Sequence, residues 1–236
     1  MGHEIEAVAL AADHEIVGRF DVNSPPTAGG LNTANADVAI DFSQPDAVEK
    51  NAKLVLASKL PLVIGTTGWE KSRDAIRDEA ERSGVGCIYA SNFSIGVNLF
   101  LQVAKHAAEL YDRAGYDAFI TEAHHRAKKD FPSGTALRLA EEVLAAMKSK
   151  SKIVSELEQG NAIAPDALHI SSIRSGAIPG THTLGFESAE DSIEITHRAR
   201  SRRGFAVGAV KAAEWIVGKK GFYRFEERVS EILDRS

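Results

Sequence analysis

Two apolar runs, LPLVIGTTGW (60–69) and VGCIYASNFS (85–94), flank one charged amphipathic stretch, WEKSRDAIRDEAERSG (69–84). That pairing constrains the fold more than anything else in the chain. A strand that is apolar at nearly every position is buried on both faces, and strands joined by a helix run parallel. The pattern extends upstream. ADVAIDFS (36–43) reads as another strand, followed by a helix from Pro45 to about Ser58. Ile5, Val8, Ala9 and Ala12 recur on one helical face. EIVGRFDVN (15–23) reads as a strand ending near Asp21, and SPPTAGG as a turn and loop. The first half therefore predicts an α/β fold with a Rossmann-type parallel sheet.

From about Gly96 the grammar changes. VNLFLQVAKHAAELY predicts a long helix, YDAFITEAHH a strand, and SGTALRLAEEVLAAM another helix. Three strand segments then follow closely: ALHISSIRSG, THTLGFESAE and DSIEITHRARS. Strands in succession predict a second, α+β domain with a mixed or antiparallel sheet. SKSKIVSELEQGNAIAPDA reads as a surface excursion of that domain, and GFAVGAVKAAEWIVGKK as a closing helix before a short FYRFEERV segment. The expected division is 1–93 with 204–236 as a dinucleotide-binding domain, and 94–203 as a substrate-binding and oligomerisation domain.

A dinucleotide-binding domain opens with a strand and a G-x-G-x-x-G loop, whose glycines let a helix N-terminus meet the pyrophosphate. Here the sequence begins with the helix, so the first strand is missing from the pattern. Gly2 stands where the last loop glycine belongs, and Asp21 follows at the spacing of the acid that binds the adenosine ribose. Met1-Gly2 is thus expected to be the tail of the fingerprint, with the true start roughly ten residues upstream. A fragment with impaired cofactor binding is the other reading.

Composition removes several function classes. The 236 residues carry a formal net charge of -5, which does not suit general nucleic-acid binding. The single cysteine, Cys87, cannot form an internal disulfide. No apolar run approaches the ~18 residues of a membrane span, and the first fifteen residues lack a signal-peptide pattern. A cytoplasmic protein is expected.

The most specific motif is EAHHRAKKDFPSGTA, Glu122 to Ala136. With IGTTGW (64–69) and ASNFSIGVN (90–98), it resembles the 4-hydroxy-tetrahydrodipicolinate reductases, over the whole chain and in the family's order. Taken alone, HHRAKK reads as an exposed basic loop and PSGT as a helix cap. The resemblance implies reduction of a cyclic dicarboxylate in the diaminopimelate and lysine branch, using NADH or NADPH. It implies His124 and Lys128 as the acid pair, with the choice of proton donor open. His125, Ser133, Gly134 and Thr135 are implied as substrate-binding, the last three through the free N–H groups of a helix start.

The cofactor is expected at Gly2, Asp21, Gly65, Thr66 and Thr67, with Ser91, Asn92, Phe93 and Ser94 bordering the nicotinamide. Phe42 is expected to pack nearby. An acid at Asp21 repels a 2′-phosphate, which tilts the expectation toward NADH. No metal is expected, because adjacent histidines point apart on a strand and no third ligand has suitable spacing. Family members usually form tetramers through the second domain's sheet, so a homotetramer is implied. A non-catalytic homologue that binds the dicarboxylate without nicotinamide is the alternative reading.

Overall fold

The computed structural model of the chain describes residues 1–33 and 35–234. It divides into two compact units, one formed by Met1–Asn98 with the segment from Arg202 onward, the other by Leu99–Ser201.

The first unit contains α1 (Gly2–Ala11), α2 (Ala28–Thr33), β1 (Ala39–Asp41), α3 (Pro45–Ala57), β2 (Leu62–Ile64), α4 (Arg73–Ser83) and β3 (Gly86–Tyr89). The long α5 (Ile95–Arg113) begins in it. Its sheet has the order β1-β2-β3-β9, where β9 (Gly221–Arg224) comes from the C-terminal segment, and every pairing is parallel. Alternation along β2 sends Leu62 and Ile64 into one cluster with Val48, Leu56, Ile76 and Ala80 of α3 and α4. Val63 goes into the other, with Ile5 and Val8 of α1 and Ala209, Trp215 and Ile216 of α7 (Arg203–Ile216). Both faces are covered, which is why β2 is apolar throughout. Buried Cys87 is a free thiol, and burial pushes its ionisation far up. Helix α7 and the turn after β3 meet closely. A Cβ on Gly208 would lie 1.7 Å from the Phe93 carbonyl oxygen.

Residues 15–23, expected as a strand, join no sheet. In the usual 3-2-1-4-5-6 order that strand pairs with strand one, and no such strand is present among the described residues. Backbone without a ladder partner is satisfied by local turns or water instead. The segment 24–30, expected as loop throughout, turns helical at Ala28.

The second unit comprises most of α5, then β4 (Asp117–His124), α6 (Gly134–Ala146), β5 (Lys152–Val154), β6 (Ala167–Arg174), β7 (Thr181–Glu187) and β8 (Ser192–Arg198). The sheet order is β5-β6-β4-β7-β8. It is mixed: β4 runs parallel to β6 and antiparallel to β7, and β7 runs antiparallel to β8. The expected excursion at 149–167 contains β5, which adds a parallel edge strand. Ala118, Ile120, Glu122 and His124 alternate into the interior along β4. The buried face thus changes from apolar to ionisable at the strand's C-terminal end. A short α8 (Val229–Leu233) closes the C-terminal segment.

Candidate active site

Open parallel sheets bind ligands beyond the carboxyl ends of their strands, and three such ends carry the expected cofactor residues. After β1, Asp41 organises the turn. Its Oδ1 accepts from the Ser43 amide (2.9 Å), the Ser43 hydroxyl (2.8 Å) and the Thr66 hydroxyl (3.0 Å). Its Oδ2 accepts from Asn51 (3.0 Å). Thr66 is buried and its carbonyl accepts from the Trp69 indole at 2.7 Å, so both of its polar side-chain and carbonyl groups are already engaged. Thr67 beside it is exposed. A cavity of about 310 Å³ opens between Met1, the turn from Phe42 to Pro45, and Gly65, Thr66 and Thr67. Gly65 lets the Phe42 ring lie against the backbone, since a Cβ there would come within 2.0 Å of it.

Gly2 opens α1, and nothing approaches its Cβ position. Asp21 lies in an exposed turn where its Oδ1 accepts from the Asn23 and Ser24 amides (2.8 and 2.9 Å). Beyond β3, Asn92 Oδ1 accepts from the Ser94 amide at 2.9 Å, and the Ser94 hydroxyl from the Val97 amide at 3.3 Å. Ser91 is exposed, but the Phe93 ring packs in the core against Phe42 and Phe225. The ring is therefore a structural anchor, and what Phe93 can offer a ligand is backbone. Asp21 and the four residues of this turn are not among those lining the cavity.

In the second unit the β register assembles a polar cluster. Glu122 and His124 share a face of β4 because they are two residues apart. Register places His182 of β7 opposite Glu122, and Arg174 of β6 opposite His124. All four side chains therefore share one face. Arg174 donates to both Glu122 oxygens, at 2.7 Å to Oε1 and 3.0 Å to Oε2. His124 Nδ1 donates to Glu122 Oε2. Burial works against ionisation of Glu122, but the bonds from Arg174 and His124 outweigh it and hold its carboxyl at about 2. Burial instead pushes His182 down to about 4, helped by the neighbouring His124.

The loop after β4 carries the rest. Ser133 caps α6, its hydroxyl accepting from the Ala136 amide at 3.2 Å and lying 3.0 Å from His182 Nε2. Gly134 is exposed and Thr135 half-buried at the helix start, where first-turn N–H groups lack intrahelical acceptors. His125 is half-buried. Lys128 is held by Asp130, 2.9 Å from each carboxylate oxygen, and this bond keeps the Asp130 carboxyl below its usual range. The structure thus draws His124 and Ser133 into one network with Glu122, and sets Lys128 beside Asp130.

Spacing along the chain gave the histidine pair no third metal ligand, but in space His124 does have two potential co-ligands. Ligand atoms of Glu122, His124 and His182 lie within 4.8 Å of one another. Chain spacing hid this, because His182 arrives from an adjacent strand.

Family models for the N-terminus and C-terminus of dihydrodipicolinate reductase match residues 1–93 and 96–229. The 4-hydroxy-tetrahydrodipicolinate reductase of Christiangramia forsetii is 39% identical over 99% of this chain and 95% of its own length. That of Archaeoglobus fulgidus is 36% identical over 96% and 95%. The chain belongs to the dihydrodipicolinate reductase family. A dipicolinate-bound dihydrodipicolinate reductase from Paenisporosarcina sp. TG-14 superposes with a TM-score of 0.77 at 25% identity, covering 96% of this chain and 94% of that one.

Within this dihydrodipicolinate reductase fold, sequence reading missed Glu122, Arg174 and His182. Glu122 carried a usable signal, its position two residues before His124 on a predicted strand. Arg174 and His182 carried none, because their place depends on register.

Proposed function

We propose that the chain is a 4-hydroxy-tetrahydrodipicolinate reductase, an oxidoreductase that uses NADH or NADPH to reduce a cyclic dicarboxylate in diaminopimelate and lysine biosynthesis. The observation that carries this reading is the second unit's cluster. A buried histidine is held at one nitrogen beside a capped helix start that offers free N–H groups to a carboxylate.

The first unit's residues suit a dinucleotide. The cavity at the ends of β1 and β2 borders the α1 N-terminus, and the Asp21 Oδ2 oxygen has no hydrogen-bond partner among the described residues. Gly2 and the α1 N–H groups hold phosphate, Asp21 the adenosine ribose, and Gly65 and Thr67 the stretch between. Ser91, Asn92 and the Phe93 and Ser94 backbone border the nicotinamide, which supplies a hydride when bound. The carboxylate of Asp21 disfavours a 2′-phosphate, so NADH is the preferred cofactor.

In the second unit, Gly134 and Thr135 bind one substrate carboxylate through N–H and hydroxyl donors, and Ser133, its amide on Glu122 and its hydroxyl in the helix cap, supports that site by fixing the helix start. His125 and Lys128 add hydrogen bonds and positive charge for the dianion, Lys128 by exchanging Asp130 for substrate. His124 gives the proton that completes the reduction, and Lys128 supports it electrostatically. The Glu122–His124–His182 cluster works as a hydrogen-bonded network and not as a metal centre, since the Arg174 cation already occupies both Glu122 oxygens.

The protein works in the cytoplasm as a homotetramer built through the second unit's sheet. Supporting this, the β4 and β6 residues that alternate away from the interior, Phe119, Thr121, Ala123, His169 and Ser171, are only half-buried. No helix among the described residues is long and apolar enough to cross a membrane.

The test is a split in steady-state constants. His124→Ala lowers kcat by about two to four decades, the usual worth of a general acid. Thr135→Val mainly raises KM. Near-normal kinetics in both would remove this loop from the reaction.

A further inference from the structure

We propose that Glu122, clamped by Arg174, is a positioning residue that fixes His124 with its proton on Nδ1 and so makes Nε2 the working nitrogen. The inference rests on the reductase reading for what Nε2 does, but its geometry stands apart from it.

An ionised carboxylate can only accept hydrogen bonds. The bond between His124 Nδ1 and Glu122 Oε2 therefore requires an N–H at Nδ1. That carboxylate stays ionised at any working pH, because Arg174 meets both oxygens and the Ser133 amide approaches Oε1 at 3.3 Å. Arg174 is itself fixed, donating to the Asp130 carbonyl at 2.8 Å. The carboxylate side chain is fully buried, so its orientation is set by these partners and not by water. This is the arrangement in which a buried acid sets a histidine's tautomer without taking its proton.

The space around Nε2 is kept open by a glycine. A Cβ at Gly180 would lie 3.1 Å from His124 Nε2, and its φ of +147° is one that other residues rarely adopt. Thr181, the next residue, pairs with Ala123 in the β4–β7 ladder. The groups facing the His124 ring are thus Glu122 on its own strand, Arg174 from β6, and His182 from β7 at 5.1 Å between ring centroids. Lys128 and Asp130 lie in the following loop, and the Ser133 cap leads α6. His182 is uncharged at neutral pH, so it places no second cation beside His124.

In turnover, the protonated ring gives the Nε2 proton to the carbon next to the hydride-accepting position. The Nε2–H bond breaks and a C–H bond forms, while Nδ1–H stays on Glu122. A bound nicotinamide would supply the hydride with both its electrons to the unsaturated ring left once the substrate's hydroxyl has departed as water, and solvent returns a proton to Nε2.

The first test is nitrogen NMR of the imidazole rings in the wild-type protein at a pH where His124 is neutral, with His124→Gln used to assign the signal. A neutral ring protonated at Nδ1 is expected. A ring protonated at Nε2 overturns the proposal, and this readout needs neither substrate nor cofactor. The second is Glu122→Gln, whose amide can donate as well as accept. Its His124 signal should become a mixture of tautomers, kcat should fall by about two to four decades, and dipicolinate affinity should change by less than about threefold. Unchanged kcat with an unchanged tautomer overturns the proposal. If Glu122→Gln fails to fold, Gly180→Ala replaces it: crowding at Nε2 should lower kcat while leaving the Nδ1 signal in place, and full activity would contradict the assignment of Nε2. An Nδ1-protonated ring in a wild-type protein without reductase turnover would support the positioning and refute the reductase reading alone.

Discussion

Gly208→Ala separates local helix propensity from tertiary contact, because the two give opposite signs. Gly208 lies inside α7, where replacing glycine by alanine ordinarily stabilises by about 1 kcal/mol. Here the new Cβ would sit 1.7 Å from the Phe93 carbonyl oxygen and 2.9 Å from its carbon. Both atoms are backbone, so no side chain can swing away. Real contacts of this kind do not fall below 3.0 Å, so helix and turn must part by roughly 1.3 Å. That movement strains the packing of Phe93 against Phe42 and Phe225. Overpacking a core costs about 1–3 kcal/mol, and a backbone clash belongs at the upper end or beyond. The net expectation is destabilisation of about 2 kcal/mol. Urea unfolding followed by tryptophan fluorescence reads this directly, since both tryptophans, Trp69 and Trp215, lie in the first unit. With a slope of about 2 kcal/mol/M, the midpoint should fall by about 1 M. Gly204→Ala is the control: it sits in the same helix, with only the Ser94 hydroxyl at 3.7 Å, and should be neutral or slightly stabilising. A Gly208→Ala midpoint equal to or above wild type would refute the packing argument.

Two further outcomes follow from the polar groups. Glu122 ionises lower in the fold than unfolded, so its contribution is complete above about 4.5 and is lost as pH falls toward about 2. His182 is also held low, so folding favours its neutral form, and that contribution erodes between about 6.5 and about 4. Thermal unfolding by circular dichroism should show the second unit weakening below about pH 6.5 and steeply below about 4.5. A flat response across that range would contradict both assignments. Asp21→Ala should lower the ratio of kcat/KM with NADH to that with NADPH; an unchanged ratio would remove Asp21 from cofactor choice.

Much of the fold was legible because burial on two faces leaves a plain mark. Leu62, Val63 and Ile64 are apolar in a row since α3 and α4 cover one side and α1 and α7 the other. The segment at 15–23 carried a shorter apolar signal, Ile16-Val17 with Phe20 and Val22, and no paired neighbour, and such content alone does not make a strand. β9 was missed for the converse reason: GFYR gains its ladder from β3, more than 130 residues earlier in the chain. In the site, PSGT announced its own helix cap, and Ser133 performs it. Lys128 and the histidine pair stood out by motif. What could not be read was the second layer around them, because Arg174 and His182 reach Glu122 only through the register of β6 and β7.

The most direct measurement of the central claim is nicotinamide oxidation by the purified protein on addition of 4-hydroxy-tetrahydrodipicolinate, with dipicolinate binding measured in parallel by calorimetry. The reductase reading predicts turnover with NADH or NADPH that depends on His124 and is inhibited by dipicolinate. Tight dipicolinate binding with no oxidation of either nucleotide would contradict it and mark a dicarboxylate-binding homologue without the reaction.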